Sequence, residues 1–143
     1  MEYELFAEIV NDYKCKNPIL FGLEPDRIPR VEEVEEFEKI LSVELSLKYK
    51  KFLLSFGGGY FGFANIYSLD KESDFYLLNY NDIPVEKYLR ISDNGCGDYY
   101  MLQIDNQKCL EQLFFYDHET NSISITEYSD IFEYLAYVGL KHN

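Results

Sequence analysis

Residues Leu45 to Phe63 read LSLKYKKFLLSFGGGYFGF. Leu45, Tyr49, Phe52, Leu53 and Phe56 recur at helical spacing, so one face of a helix is apolar. Gly57 comes next, and a glycine just past the last turn can take the left-handed conformation that closes the carbonyl end. From Tyr60 onward the residues favour strand. The order is helix, glycine turn, strand. A phosphate-cradling loop needs the reverse: a strand, then glycines, then a helix whose free amide groups face the anion. Gly57, Gly58 and Gly59 fail on direction, and no Gly-Lys-Ser or Gly-Lys-Thr ending follows them.

A second glycine-punctuated stretch, Tyr88 to Asp105, reads YLRISDNGCGDYYMLQID. The first stretch resembles the "Leu-Pro-x-x-Tyr-x-x-Phe-Leu … Gly-Gly" signature of the SUKH superfamily, the Smi/Knr-type cell-wall-regulator domains. It matches at Leu45, Tyr49, Phe52, Leu53, Gly57 and Gly58. In the second, Leu89, Arg90 and Ile91 followed by Gly95, Gly97 and Asp98 are similar to that family's "Ile-x-x-x-Gly-x-Gly-Asp". Leu113 to Glu119, LFFYDHE, resembles the strand that follows, ending in "Tyr-Asp-His-Glu". The three pieces keep the family's order and span Val31 to about Leu140. Ser46 stands where the family usually has proline. Serine opens a helix as N-cap where proline opens it by fixing φ, so the departure leaves the fold reading intact.

At 143 residues the chain is one domain, 1–143, long enough to bury a core without disulfides or metals. Fourteen Tyr and eleven Phe supply that core. Cys15, Cys96 and Cys109 are odd in number and form no C-x-x-C pair, which indicates neither a disulfide framework nor a zinc knuckle and suits a reducing compartment. The start, Met1 to Glu4, lacks the basic and apolar run of a signal peptide, and no apolar stretch nears a membrane span. The expectation is a cytoplasmic protein. With 26 acidic against 13 basic residues the formal charge is −13, which repels phosphate backbones and anionic lipid and attracts a basic protein partner.

Along the chain, apolar periodicity predicts helices over Glu2 to Lys14, Arg30 to Leu41 and Leu45 to Phe56, with an irregular crossing from Ile19 to Pro29. Strands are predicted at Tyr60 to Leu69, Phe75 to Tyr80, Tyr88 to Ile91, Asp98 to Ile104, Leu113 to Asp117 and Ser122 to Thr126. A helix from Tyr128 to Leu140, N-capped by Ser129, closes the chain. Helices flanking a block of strands indicate an α+β fold. The resemblance implies a SUKH-like domain whose central, mainly antiparallel sheet has about five or six strands.

Chemistry-bearing residues are sparse. A cysteine nucleophile would need Cys15, Cys96 or Cys109 beside His118 or His142; Cys96 in its glycine turn, paired with His118, is the candidate, and nothing in the spacing brings them together. Asp93, Asn94, Asp98 and Asp105 do not meet the calcium-loop pattern, and the stretch reads as a turn with Asn94 and the glycines at positive φ. Glu32, Glu33, Glu35, Glu36 and Glu38 form a dense acidic run that is either a solvated helix face or a ridge for a partner. No catalytic residue, metal or cofactor is indicated.

What the resemblance implies is a non-enzymatic binding protein, in bacteria an immunity protein that neutralises a cognate toxin by tight association. A basic nuclease domain is the kind of toxin that the acidic charge suits. The candidate contact residues are Glu32, Glu35, Glu36, Asp93, Asp98 and Tyr99. The alternatives are a regulatory scaffold of the cell-wall-signalling type and a small-molecule enzyme built on Cys96 and His118.

Overall fold

A computed structural model describes residues 1–19, 21 and 24–143. Helix α1 is Tyr3–Lys16, α2 is Val31–Leu41 and α3 is Leu47–Phe56. A short hairpin, β1 Gly59–Phe61 and β2 Ala64–Ile66, follows directly. A second sheet takes β3 Tyr88–Asp93, β4 Tyr99–Asp105, β5 Lys108–Asp117 and β6 Ser122–Ile125 in the order β3-β4-β5-β6, every pair antiparallel. Helix α4, Ile131–Tyr134, runs into a π-helical turn at Leu135–Gly139. This is a mixed α+β fold, with six strands among the described residues divided four and two. Among the described residues no helix is long and apolar enough to cross a membrane.

The opening stretch forms as its spacing requires. The Ser46 hydroxyl accepts from Tyr49 N–H at 3.3 Å and caps α3. Tyr49, Phe52 and Leu53 are fully buried. Gly57 ends the helix at φ +84°, ψ −53°, outside the left-handed helical well yet still a backbone that only glycine adopts readily. The glycines also permit a close approach. The segment around Asp26 lies directly on the turn, Asp26 N–H donating to Gly58 O at 3.1 Å, and a Cβ on Gly57 would sit 2.1 Å from Asp26 O.

One core joins the layers. Phe6 of α1 stacks on Phe132 of α4 with centroids 4.7 Å apart, while Phe52, Phe56 and Phe61 close around it edge-on or stacked. Val34 and Leu41 of α2, Leu89, Leu102 and Leu113 of the large sheet, and Ile66 of the hairpin complete the core. Tyr49 Oη donates to Tyr67 O at 2.6 Å, and Tyr67 N–H donates to Ile91 O at 2.8 Å, tying α3 to both sheets.

Several expected boundaries move. The single strand expected from Tyr60 to Leu69 is a hairpin because Gly62, at φ +59°, turns the chain where a Cβ would lie 2.2 Å from Gly139 O. The strand expected from Phe75 to Tyr80 is a 3₁₀ turn at Leu77–Asn79. Side chains take over the backbone there. Asp70 accepts from Glu72 N–H, Ser73 accepts from Phe75 N–H, and Asn81 donates to Leu77 O, offering partners that a ladder would otherwise supply. Strand β5 begins at Lys108 rather than Leu113, since Asn106 and Gln107 both take positive φ and close a two-residue hairpin with β4. The C-terminal helix is capped by Asp130, not Ser129: its Oδ1 accepts from Glu133 N–H at 2.8 Å and its Oδ2 holds Lys48 Nζ at 2.7 Å. The expected crossing from Ile19 to Pro29 includes Leu20, Gly22 and Leu23, which lie outside the described residues; the described ones form no helix.

Tyr49→Phe keeps the ring and leaves the buried Tyr67 carbonyl without its donor. It lowers unfolding stability by about 1–3 kcal/mol, read in urea as a lower midpoint at unchanged slope.

Candidate functional site

The four-stranded sheet has two apolar faces. Leu89, Leu102, Leu113 and Tyr100 point to the helices, Tyr100 packing on Tyr134 with centroids 4.4 Å apart. The opposite face carries Tyr88, Arg90, Tyr99, Met101, Phe114 and Tyr116, continued on β6 by Ile123 and Ile125 through the pairs Tyr116↔Ile123 and Phe114↔Ile125. No element among the described residues packs a second layer over it. Tyr88 and Phe114 meet at 5.5 Å, and the Arg90 guanidinium covers the Tyr99 ring at 4.1 Å and the Tyr116 ring at 5.8 Å.

One side of this face is walled by the segment Tyr80–Glu86, leaving an open groove of about 560 Å³ floored by Arg90, Met101, Tyr116 and Ile123. The wall is anchored, not loose. Tyr80 stacks flat on Tyr67 at 3.9 Å, and Asn81 both accepts from Arg90 N–H at 2.8 Å and donates to Arg90 O at 3.0 Å. Asp82 and Glu86 stand exposed on its rim.

The expected contact residues fall partly on α2 and partly at the Asp93–Tyr99 end of the sheet. Glu32, Glu35 and Glu36 are exposed, and among the described residues none of them forms an ion pair; Glu33 and Glu38 are instead spent on Arg27, Arg30 and Lys50. Glu35 borders a shallow groove with Gln107, at the β4–β5 turn. Asp93, Asp98 and Tyr99 lie at the far end of β4, about 20 Å away at 3.3 Å per residue. The six are therefore not one cluster. Asp93 is turned inward, accepting from Tyr67 Oη at 2.6 Å, Asn65 Nδ2 at 3.3 Å and Gly95 N–H at 2.9 Å. Tyr99 lies on the outer face beneath Arg90.

Asp98 clasps two turns together. Its Oδ1 accepts from His118 N–H at 2.9 Å and meets His118 Nδ1 at 2.7 Å, while Asn94 donates to Oδ2 at 2.8 Å. The His118 amide, then Asn94 and the imidazole, hold the Asp98 carboxyl down at about 2, and the same contact raises His118 above its ordinary value. Gly95 and Gly97 take positive φ as expected; Asn94 does not, and serves through its side chain, accepting from Cys96 N–H at 2.9 Å.

Asp98, Asp117 and His118 place three ligand-type atoms within 4.8 Å of one another. Asp98 is engaged by His118 and Asn94, and Asp117 Oδ1 accepts from Glu119 N–H at 2.9 Å, so the three side chains act here as a turn clasp. The fold does set the Cys96 turn beside His118: a Cβ on Gly97 would lie 3.2 Å from the ring. The exposed Cys96 thiol makes no hydrogen bond to a described residue; Asp98 holds Nδ1 of His118, which leaves Nε2 as the other ring nitrogen, and no hydrogen bond joins it to the thiol. Cys109 is buried, and burial pushes its thiol up to about 12.

A family model described as SMI1-KNR4 cell-wall, SUKH_6, matches residues 31–135, well over half of the chain. The chain belongs to the SUKH family. A crystal structure of a protein from Pseudomonas syringae pv. tomato superposes on this SUKH chain with a TM-score of 0.69 at 20% identity, covering 94% of this chain and 98% of that one. At that identity the likeness speaks for the fold. A search of curated proteins found no match.

Of the outer face of the SUKH sheet, sequence reasoning named Tyr99 alone. The signal was present: YYML and LFFY are apolar without interruption, where an antiparallel strand with one solvated face alternates.

His118 gains charge stabilisation on folding, so its contribution is complete below the ordinary imidazole value and fades as pH rises through the raised folded one. Asp98 behaves in the opposite sense, its contribution present above the ordinary carboxyl range and lost as pH falls towards 2. Asp98→Asn brings the His118 titration, followed by ring proton shifts in NMR, back down towards 6.5.

Proposed function

We propose that this SUKH domain is an immunity protein, which binds a cognate bacterial toxin tightly and blocks its active site or substrate groove without chemistry of its own. The observation that carries the reading is the uncovered aromatic face of the four-stranded sheet with its walled groove. A face that joins Tyr88, Phe114, Tyr116, Ile123 and Ile125 over the buried Met101 has the composition of an interface core, rich in Tyr and Phe. SUKH domains are generally non-enzymatic, and Asp98 with Nδ1 of His118 serves to close the glycine turn.

Charge supports a basic partner. The chain carries −13, and Glu32, Glu35 and Glu36 stand exposed on α2 while Asp82 and Glu86 edge the groove. Such carboxylates attract the Lys and Arg residues with which a nuclease holds phosphate, and so compete for the same groups. The two parts act on different rates: distant acids speed encounter, and the aromatic face slows dissociation.

Co-expression with the carboxy-terminal toxin domain encoded by a neighbouring gene restores growth, and the two proteins co-purify. The pair Tyr88→Ala and Tyr116→Ala weakens the complex by about 2 kcal/mol or more, chiefly by faster dissociation, while the variant still unfolds cooperatively. Reversing Glu32, Glu35 and Glu36 to Lys slows association and flattens its salt dependence with dissociation little changed. Absence of both rescue and complex contradicts the immunity reading.

A further inference from the structure

The two edges of the large sheet are finished differently. Along β3 the outward backbone groups are occupied: Ile91 O accepts from Tyr67 N–H at 2.8 Å, Asp93 N–H donates to Asn65 Oδ1 at 3.0 Å, and the Asn81 amide stands in for a strand against Arg90. Along β6 no such cover exists among the described residues.

Thr126 N–H donates to Leu113 O at 3.1 Å, and Thr126 lies opposite Leu113 in the register that pairs Phe114↔Ile125 and Phe115↔Ser124. That bond sets Thr126 at a hydrogen-bonding position of the ladder, while Leu113 N–H itself reaches past it to Tyr128 O at 3.1 Å. Such positions alternate along an antiparallel ladder, so Ser124 and Ser122 also turn their backbone groups to β5. Ile123 and Ile125 turn theirs outward. All four residues of β6 are exposed, the side chains of Ile123 and Ile125 at 46% and 66%.

An open edge is a template for another strand, and proteins usually blunt it with lysine, proline or a bulge. Ser-Ile-Ser-Ile has none of these, and its ladder with β5 is regular. We propose that β6 is a docking edge that takes an extended strand from a protein partner, with Lys or Arg near the ends of that strand. The proposal deepens the partner-binding reading above and rests on it for the existence of a partner.

Local charge selects the occupant. Asp117, Glu119 and Glu127 flank β6, Glu119 and Glu127 exposed. A second copy of the chain would bring the same acids to the seam, together with a further net charge of −13. A strand with basic ends meets them favourably. Its outward neighbours to Ile123 and Ile125, if β-branched, would prolong the apolar face that begins in the groove, adding side-chain burial to two main-chain residues' worth of hydrogen bonds.

The test uses the full chain, isotope-labelled, with an acetylated and amidated peptide of sequence KTVTVTVK as probe and ETVTVTVE as its control. Expected are shifts centred on Ile123 to Ile125, amide exchange of Ile123 and Ile125 slowed at least about tenfold on saturation, and at least about tenfold weaker binding of the acidic control. Ile125→Pro removes an N–H that faces away from β5 and should abolish binding; Ile125→Lys, which leaves every backbone group in place, should weaken it by a similar factor. Shifts centred elsewhere, equal binding of the two peptides, or no binding at millimolar peptide overturns the proposal. So does a free protein that sediments as a dimer with those amides already protected, since the occupant is then a second copy. If a toxin is neutralised equally by wild type and Ile125→Pro, the edge falls and immunity stands; if the peptide docks at β6 and no toxin binds, immunity falls and the edge stands.

Discussion

Tyr49 donates its hydroxyl proton to the Tyr67 carbonyl across 2.6 Å, in a site where both side chains are fully buried, and much of the molecule is positioned by that bond. The donor sits on the helix fixed by the Ser46 cap and ended by Gly57; the acceptor belongs to the segment that leaves the small hairpin for the large sheet. From Tyr67 the linkage continues in two directions, through its N–H to Ile91 and through its own hydroxyl to Asp93. Burial raises the titration of both phenols, so each remains a donor across the accessible pH range. A carbonyl buried beside a ring without a hydroxyl would have no replacement for water, which is why this contact matters more than its single bond suggests.

The same linkage explains why the family signature is a poor guide to the binding surface. Asp93 and Asp98 appear in the sequence as turn carboxylates open to a partner, yet one is consumed by Tyr67, Asn65 and Gly95 and the other by Asn94 and His118. Residues committed to the scaffold have little left for a second molecule. What remains free is of two kinds: solvated acids such as Glu32, Glu35 and Glu36, and the outer sheet face with its groove and bare edge. A domain built this way can keep its internal network while the outer face varies with the partner.

Local patterning made the helices legible. The 3.6-residue spacing of Tyr49, Phe52, Leu53 and Phe56 placed α3 almost to the residue, and the family resemblance rested on the same positions. Although Asp70 to Asp74 reads as the turn it forms, the segment from Phe75 to Tyr80 was not legible in this way. Its aromatics suggest strand, but short polar side chains capture the backbone first, and only the tertiary position of Tyr80 against Tyr67 shows why. The Asn106–Gln107 hairpin was missed because glutamine at positive φ is an uncommon turn residue. At the candidate site, the acids were found by counting charge, whereas the groove depends on how the Tyr80–Glu86 wall folds back against β3, a non-local contact with no sequence period to announce it.

The central claim is that the internal network makes the scaffold and the outer sheet face makes the function. A substitution scan of every position, scored in parallel for toxin neutralisation and for the amount of folded protein, tests it most directly. The account predicts that positions losing neutralisation while staying folded cluster on the outer face around Tyr88, Tyr116 and Ile123, and that Tyr49, Tyr67 and Asp93 lose both together. A functional cluster confined to the Asn94–Asp98 turn and His118, with the outer face tolerant of change, would contradict it.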